Sequence, residues 1–167
     1  MFGRWGERVV AAAFRREGYK TFLGPAYNID EYRDLYIRKK SFMVSVQVKA
    51  TAMKGNIFRQ DAGQLRRYLE IRQERDERFI LCVANLRLRF VYSFPEVVLE
   101  RELKIAEDRN ALAHIIGGNA HLLCKETTQR PYPMEITPDE CKDGARLVKG
   151  RNADESKQIS LLPDEEF

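Results

Sequence analysis

A ten-residue segment, Phe42–Thr51, alternates apolar and polar side chains over most of its length. Alternation with a period of two is typical of a β-strand that buries one face. The apolar positions are Phe42, Val44, Val46 and Val48, and the positions between them are Met43, Ser45, Gln47 and Lys49. Because a slip of one residue would exchange the faces, the pattern specifies how the strand sits in a sheet and places Gln47 and Lys49 on one face.

The flanking segments predict an α/β domain with a central mixed sheet and helices on its faces. Apolar spacing, the stop at Gly18, the helix-capping Asp61 and β-branched runs supply the signals. The predicted elements are a helix over 5–17, strands over 19–23, 34–37 and 42–51, a helix from 61 to about 75, and strands over 79–84 and 88–94. One or two helices over 97–114 follow. We expect a core over 1–110 and a C-terminal extension over 111–167 that is partly irregular.

Composition narrows the class of protein. The 167 residues are 44% hydrophobic, and no apolar run approaches the roughly 20 residues that span a bilayer. Three cysteines without a CxxC pair argue against a disulfide framework or a zinc site. A phosphate-binding glycine loop is also missing, which argues against a nucleotide cofactor. We therefore expect a single-domain cytoplasmic protein without a membrane partner.

Positive charge is concentrated in one part of the chain. Residues 33–67 carry nine basic side chains against two acidic ones, whereas residues 135–167 carry five against nine. The net charge of +4 hides this asymmetry. A basic segment is typical of a surface that meets nucleic acid, although solvated turns have the same composition.

The basic segment contains residues that suit metal-assisted chemistry. Asp34 and Gln47 lie 13 positions apart, which suits two antiparallel strands joined by a tight turn. Glu7 lies beside the apolar stripe of the first helix. Carboxylate and amide oxygens suit a hard cation such as Mg²⁺, and Lys49, two residues beyond Gln47, suits the orientation of an attacking water or of a phosphate.

In this order the residues resemble the PD-(D/E)XK nucleases of the restriction-endonuclease-like fold. The resemblance covers roughly residues 3–95, and the order of elements is similar to that of archaeal Holliday-junction resolvases. It consists of Gly6-Glu7, Gly18-Tyr19, Asp34-Leu35 and Val46-Gln47-Val48-Lys49, with Gln64-Leu65-Arg66-Arg67-Tyr68 similar to the Q-x-x-x-Y motif of RecB-like nucleases. Arg33 stands where proline is common, and Gln47 stands where Glu or Asp is usual.

The resemblance implies a Mg²⁺-dependent DNA endonuclease, with Mn²⁺ as a substitute metal, of the junction-resolving, homing or restriction type. Metal ligands would be Glu7, Asp34, Gln47 and the Val48 carbonyl; Lys49 would position the water, and Gln64 and Tyr68 would support the site or contact phosphate. The residues expected to grip the DNA backbone are Arg38, Lys39, Lys40, Lys54, Arg59, Arg66 and Arg67.

Two expectations concern assembly and activity. Cutting both strands of a duplex or junction usually takes two sites, so we expect a homodimer or a higher homo-oligomer. Because Gln47 removes one negative charge from the metal site, the alternative is a nuclease-fold DNA-binding module without catalytic activity.

Overall fold

The computed structural model describes residues 1–22, 33–113, 118–123 and 133–154. Its elements are α1 (Phe2–Arg16), β1 (Lys20–Phe22), β2 (Leu35–Lys39), β3 (Phe42–Thr51), β4 (Ile57–Asp61), α2 (Ala62–Arg75), β5 (Arg78–Asn85), β6 (Phe90–Pro95), α3 (Glu96–Ala113), β7 (Asn119–Leu123), β8 (Met134–Glu135) and α4 (Pro138–Asp154). The chain between the predicted strands over 19–23 and 34–37 lies largely outside the described residues, and the C-terminal extension is described in parts, as far as residue 154.

Six of the strands form one mixed sheet in the order β1-β2-β3-β5-β6-β8. The β2–β3 hairpin is antiparallel and pairs Leu35 with Val46. The neighbouring pair, β3 and β5, is parallel and sets Gln47 beside Leu81. Strands β4 and β7 form a separate two-stranded ribbon. The strand that the alternation identified therefore lies in the middle of the sheet.

Each face of the sheet is covered by helices, and each covering encloses its own apolar core. One core lies under α1 and takes Val46 and Val48 from β3. The other lies under α2 and α3 and takes Leu81 and Val83 from β5. The prediction of an α/β fold with a central mixed sheet flanked by helices is confirmed. None of the described helices is both long and apolar enough to cross a membrane.

The chain beyond residue 110 adds to these same layers. The α3 helix runs across that position to Ala113, β7 pairs with β4, and β8 pairs with β6. The α4 helix packs on α1, where the Trp5 ring nitrogen donates a 2.8 Å hydrogen bond to the Glu140 carbonyl. Gly144 leaves room for Trp5, because a Cβ atom there would lie 2.7 Å from the indole ring.

Candidate metal centre

The first helix approaches the middle strand closely at Gly6. A Cβ atom on Gly6 would lie 2.8 Å from the Cβ of Ala50, a distance that real Cβ atoms do not tolerate. Glycine therefore allows α1 to lie directly on β3. The next residue, Glu7, is half-buried and comes within interaction distance of Asp34 across the helix-strand junction.

Asp34 lies at the point where β2 begins. Its N–H donates to the Val46 carbonyl at 2.9 Å, and its Oδ2 accepts the Val48 N–H at 2.7 Å. The carboxylate thus takes the place of a partner strand for Val48. Because the N–H and C=O of one strand residue leave the same edge, the Val48 carbonyl lies on the side of β3 that Asp34 occupies.

Burial and a second carboxylate raise the pKa of Asp34 from 3.8 to about 6. Desolvation is the largest cause, the Val48 hydrogen bond opposes it, and the charge and hydrogen bonding of Glu7 add to it. Lys49 acts in the opposite direction. Two neighbouring carboxylates with limited access to solvent carry negative charge that a bound cation would compensate.

Gln47 precedes Val48, the β3 residue whose N–H binds Asp34, and is 5% exposed. Its Oε1 is buried and, within the described part of the chain, accepts no hydrogen bond. A buried amide oxygen without a donor is costly, and native proteins satisfy nearly all such atoms. An oxygen atom in this state is a suitable ligand for a hard cation.

Lys49 lies on the same face, one alternation further along the strand. Its Nζ lies 3.4 Å from the Oε1 of Gln64 and 5.5 Å from the centre of the Tyr68 ring. Burial lowers the pKa of Lys49, and the charge of Asp34 opposes that change. Burial followed by the charge of Asp34 raises the pKa of Tyr68 to about 12, so this phenol stays protonated at neutral pH.

The structure thus brings together the residues that the sequence predicted for the site. Glu7 comes from α1, Asp34 from the start of β2, Gln47 and Lys49 from β3, and Gln64 and Tyr68 from α2. In the described residues, no group of three or more His, Cys, Asp or Glu side chains is placed to hold a metal. The oxygen set here is instead two carboxylates with one amide, which is the consequence of Gln47.

The basic residues predicted to grip DNA occupy three separate places. Arg38, Lys39 and Lys40 lie at the β2–β3 turn, the end of the hairpin away from Asp34, and Lys39 donates to the Glu17 carbonyl at 3.2 Å. Lys54 and Arg59 are exposed between β3 and α2. Their contact with DNA stays a prediction.

The third group lies on α2, where acidic side chains already engage it. Arg66 pairs with Glu107 at 2.7 Å, and Arg67 pairs with Glu70 and Glu74 at 3.4 and 3.5 Å. All of these side chains are well exposed, so the pairs are weak. Such weak pairs do not rule out contact between this group and DNA, which also stays a prediction.

Two neighbours of the site are not among the residues that the sequence predicts for it. Arg33, which stands where proline is common, is fully buried and pairs with Glu77 at 2.7 Å. Gln60, at the end of β4, donates from Nε2 to the Oε1 of Gln64 at 2.6 Å. The signal for Gln60 is its position four residues before Gln64, on the other side of the helix-capping Asp61.

Comparisons with known proteins found similarity to solved structures at low levels. No protein-family model and no curated protein match the chain. Among solved structures, it is similar to Hjc, a Holliday junction resolvase from the archaeal hyperthermophile Archaeoglobus fulgidus, at 11% identity and a TM-score of 0.44 over 55% of this chain and 74% of the resolvase. It is also similar to a bacterial homing endonuclease, I-Ssp6803I, at 15% identity and a TM-score of 0.40 over 92% and 95% of the two chains. At these TM-scores the case for a function rests on the chain's own residues.

Proposed function

We propose that the chain is a Mg²⁺-dependent DNA endonuclease with a restriction-endonuclease-like core, in which Mn²⁺ can replace Mg²⁺. One observation carries the proposal. Glu7 and Asp34 interact beside Lys49, and Gln47, two residues before Lys49 on β3, has a buried amide oxygen with no donor in the described structure. Clusters of desolvated, under-compensated polar groups are typical of active sites.

The donor set fits a hard divalent cation. Carboxylate oxygens from Glu7 and Asp34, the Gln47 amide oxygen and the Val48 carbonyl are all oxygen ligands of the type that Mg²⁺ takes. A cation would also supply the missing partner for the Gln47 oxygen and oppose the burial and the Glu7 charge that raise the pKa of Asp34. When bound, the ion would polarise the phosphate and lower the pKa of a coordinated water.

The side chains around the metal ligands have roles of their own. Lys49, as an ammonium with three N–H donors, contacts Gln64 with one and keeps others for the attacking water or a phosphate oxygen. The Tyr68 ring lines the site beside the Lys49 ammonium. Hydrolysis joins the water oxygen to phosphorus and breaks one phosphorus–oxygen bond of the DNA backbone, while the water loses one proton and the leaving oxygen takes one up.

Cleavage of DNA by the purified protein tests the proposal. The substrates are supercoiled plasmid, linear duplex and a synthetic four-way junction, each with Mg²⁺, Mn²⁺ or EDTA. We expect cutting of at least one substrate with either metal and none in EDTA. Lys49→Ala should slow cutting roughly 100-fold or more. The matched control is Lys104→Ala, an exposed lysine on α3, which should cut like the wild type.

A second function is favoured by one specific observation, the neutral amide at position 47. With one carboxylate fewer than a Glu or Asp site would have, a nuclease-fold protein can bind DNA without cutting it. Salt-sensitive DNA binding, with no cutting by the wild type in either metal, would select this DNA-binding function and reject the endonuclease. Equal cutting by the wild type and Lys49→Ala would show that neither description of the site is right.

We also propose that two copies act together, because a double-strand cut requires a site for each strand. Sedimentation equilibrium of the protein measures this directly. A dimer or a higher oligomer at micromolar concentration supports the proposal, and a monomer both free and on DNA contradicts it.

A further inference from the structure

Gln60 is a buried polar residue that belongs to none of the sequence motifs of the candidate site. It is the next-to-last residue of β4 and is 3% exposed. Its side chain reaches across the start of α2 to Gln64, with the 2.6 Å hydrogen bond between Gln60 Nε2 and Gln64 Oε1. The same Gln64 oxygen lies 3.4 Å from the Nζ of Lys49.

The donors and acceptors of the neighbouring side chains determine which end of the Gln64 amide faces Lys49. An ammonium group has three donors and no acceptor, so the Gln64 atom that it approaches must be the oxygen. Gln60 contacts the same oxygen, so the Gln60 atom at this contact must be its amide nitrogen, which is a donor. The two glutamines and the lysine therefore form one chain of hydrogen bonds with a single consistent direction.

We propose that Gln60 is a positioning residue of the candidate site. By donating to Gln64 Oε1, it holds the Gln64 carbonyl towards Lys49 and leaves the Gln64 amide nitrogen on the exposed side of α2. That nitrogen is a donor for a phosphate oxygen of DNA. The role in DNA cleavage rests on the proposed function, whereas the hydrogen-bonded arrangement itself does not.

The arrangement also restrains Lys49. A lysine side chain loses considerable rotamer freedom when it is held in one place. The Gln64 oxygen restrains its ammonium from one side, and Gln60 keeps that oxygen from turning away. Without Gln60, the Gln64 oxygen loses its second donor, and the Gln64 side chain is less restrained next to Lys49.

A double-mutant cycle distinguishes positioning from a general structural role. Gln60→Met removes the donor and keeps an unbranched side chain in the buried space, and Gln64→Ala removes the group that is positioned. Cleavage rates of the wild type, both single variants and the double variant are compared on one DNA substrate, with melting temperatures measured in parallel. Gln73→Met, an exposed position near the end of the same helix, is the matched control.

We expect Gln60→Met to slow cleavage roughly 3- to 10-fold, the worth of one hydrogen bond. The double variant should be no slower than Gln64→Ala alone, because Gln60 acts only through Gln64. Additive losses in the double variant, or a Gln60→Met protein as fast as the wild type, would overturn the proposal. A purely structural role predicts a loss of melting temperature that the double variant increases further.

The side-chain amide protons of Gln60 give a readout that does not require activity. In ¹⁵N-resolved NMR spectra they should exchange slowly with water in the wild type and lose that protection in Gln64→Ala. Unprotected Gln60 protons in the wild type would contradict the arrangement. If the wild type cuts no DNA, the proposed function fails, and this exchange measurement still decides whether Gln60 holds Gln64.

Discussion

Arg33 and Asp34 are neighbours in the chain, yet their side chains meet opposite surroundings. The Arg33 guanidinium is fully buried, pairs with Glu77 at 2.7 Å, donates to the Tyr68 carbonyl at 3.3 Å and lies 4.3 Å from the centre of the Phe79 ring. Within the described residues, Asp34 accepts one backbone N–H, and it has a second carboxylate beside it and a pKa raised to about 6. One charge is well compensated, and the other is not.

The two neighbouring residues therefore differ in role, because Arg33 stabilises the fold and Asp34 belongs to the candidate site. The Arg33–Glu77 pair, to which the Tyr36 hydroxyl donates at 3.0 Å, ties the start of β2 to the residues that follow α2. The pair thereby fixes the backbone next to Asp34. Burial, together with the charge of Glu7, disfavours the ionised form of Asp34 and so costs stability at neutral pH, which is common at functional sites.

The largest effect is expected from breaking the buried pair. Glu77→Leu leaves the Arg33 guanidinium buried without its carboxylate, and the free energy of unfolding should fall by about 3–5 kcal/mol. Urea denaturation measures the loss. Glu70→Ala, which breaks the exposed pair with Arg67, is the control and should cost about 1 kcal/mol or less. Equal losses in the two variants would show that the buried pair is no anchor.

The opposite sign is expected at Asp34. The folded-state pKa of about 6 lies above the usual 3.8, so the fold favours the protonated carboxyl. This stabilising contribution is complete below about pH 3.8 and is lost as the pH rises through about 6. Asp34→Asn keeps an oxygen for the Val48 N–H and, in EDTA at pH 7, should be more stable than the wild type by about 1–3 kcal/mol.

Thermal denaturation of both proteins between pH 4 and pH 7 measures this difference. It should shrink towards pH 4, where the wild-type carboxyl is also neutral. A difference that does not change with pH, or a less stable Asn variant at pH 7, would show that Asp34 is as well compensated as Arg33.

A smaller effect is expected from restoring the missing charge. Gln47→Glu adds a third carboxylate to the proposed ligand set of Glu7 and Asp34, and metal affinity should rise on the order of tenfold because ligand charge sets cation affinity. The Mg²⁺ concentration that gives half-maximal cleavage measures it, with Gln73→Glu on α2 as the control. An unchanged or higher Mg²⁺ requirement would place Gln47 outside the metal's reach.

The central sheet was predictable because its strands carry strong local patterns. Alternation over 42–49 and the apolar run over 79–84 each identify a strand without reference to the rest of the chain. The β4–β7 ribbon was missed because it joins residues about 60 positions apart, a pairing with no local signal. Helix α1 begins three residues earlier than predicted, since Phe2 packs against Trp5 with their rings stacked 5.0 Å apart.

Helix α4 was missed although its start is visible in the sequence. Thr137 and Glu140 form a capping box in which the Thr137 N–H donates to Glu140 Oε1 at 3.0 Å and the Glu140 N–H donates to Thr137 Oγ1 at 3.2 Å. The helix itself is polar on most positions and owes its place to Trp5 and Gly144. The candidate site was predictable through its motif, whereas Gln60 and the Arg33–Glu77 pair depend on tertiary contacts.

Metal binding by the DNA-free protein tests the central claim most directly. Isothermal titration calorimetry with Mn²⁺ at pH 7.5 compares the wild type, Asp34→Asn and the control Glu70→Gln. We expect the wild type and the control to bind Mn²⁺ with equal affinity and Asp34→Asn to bind at least roughly tenfold more weakly, since one carboxylate ligand is lost. Equal binding by the wild type and Asp34→Asn, or no binding by the wild type, would contradict the assignment of these residues to a metal centre.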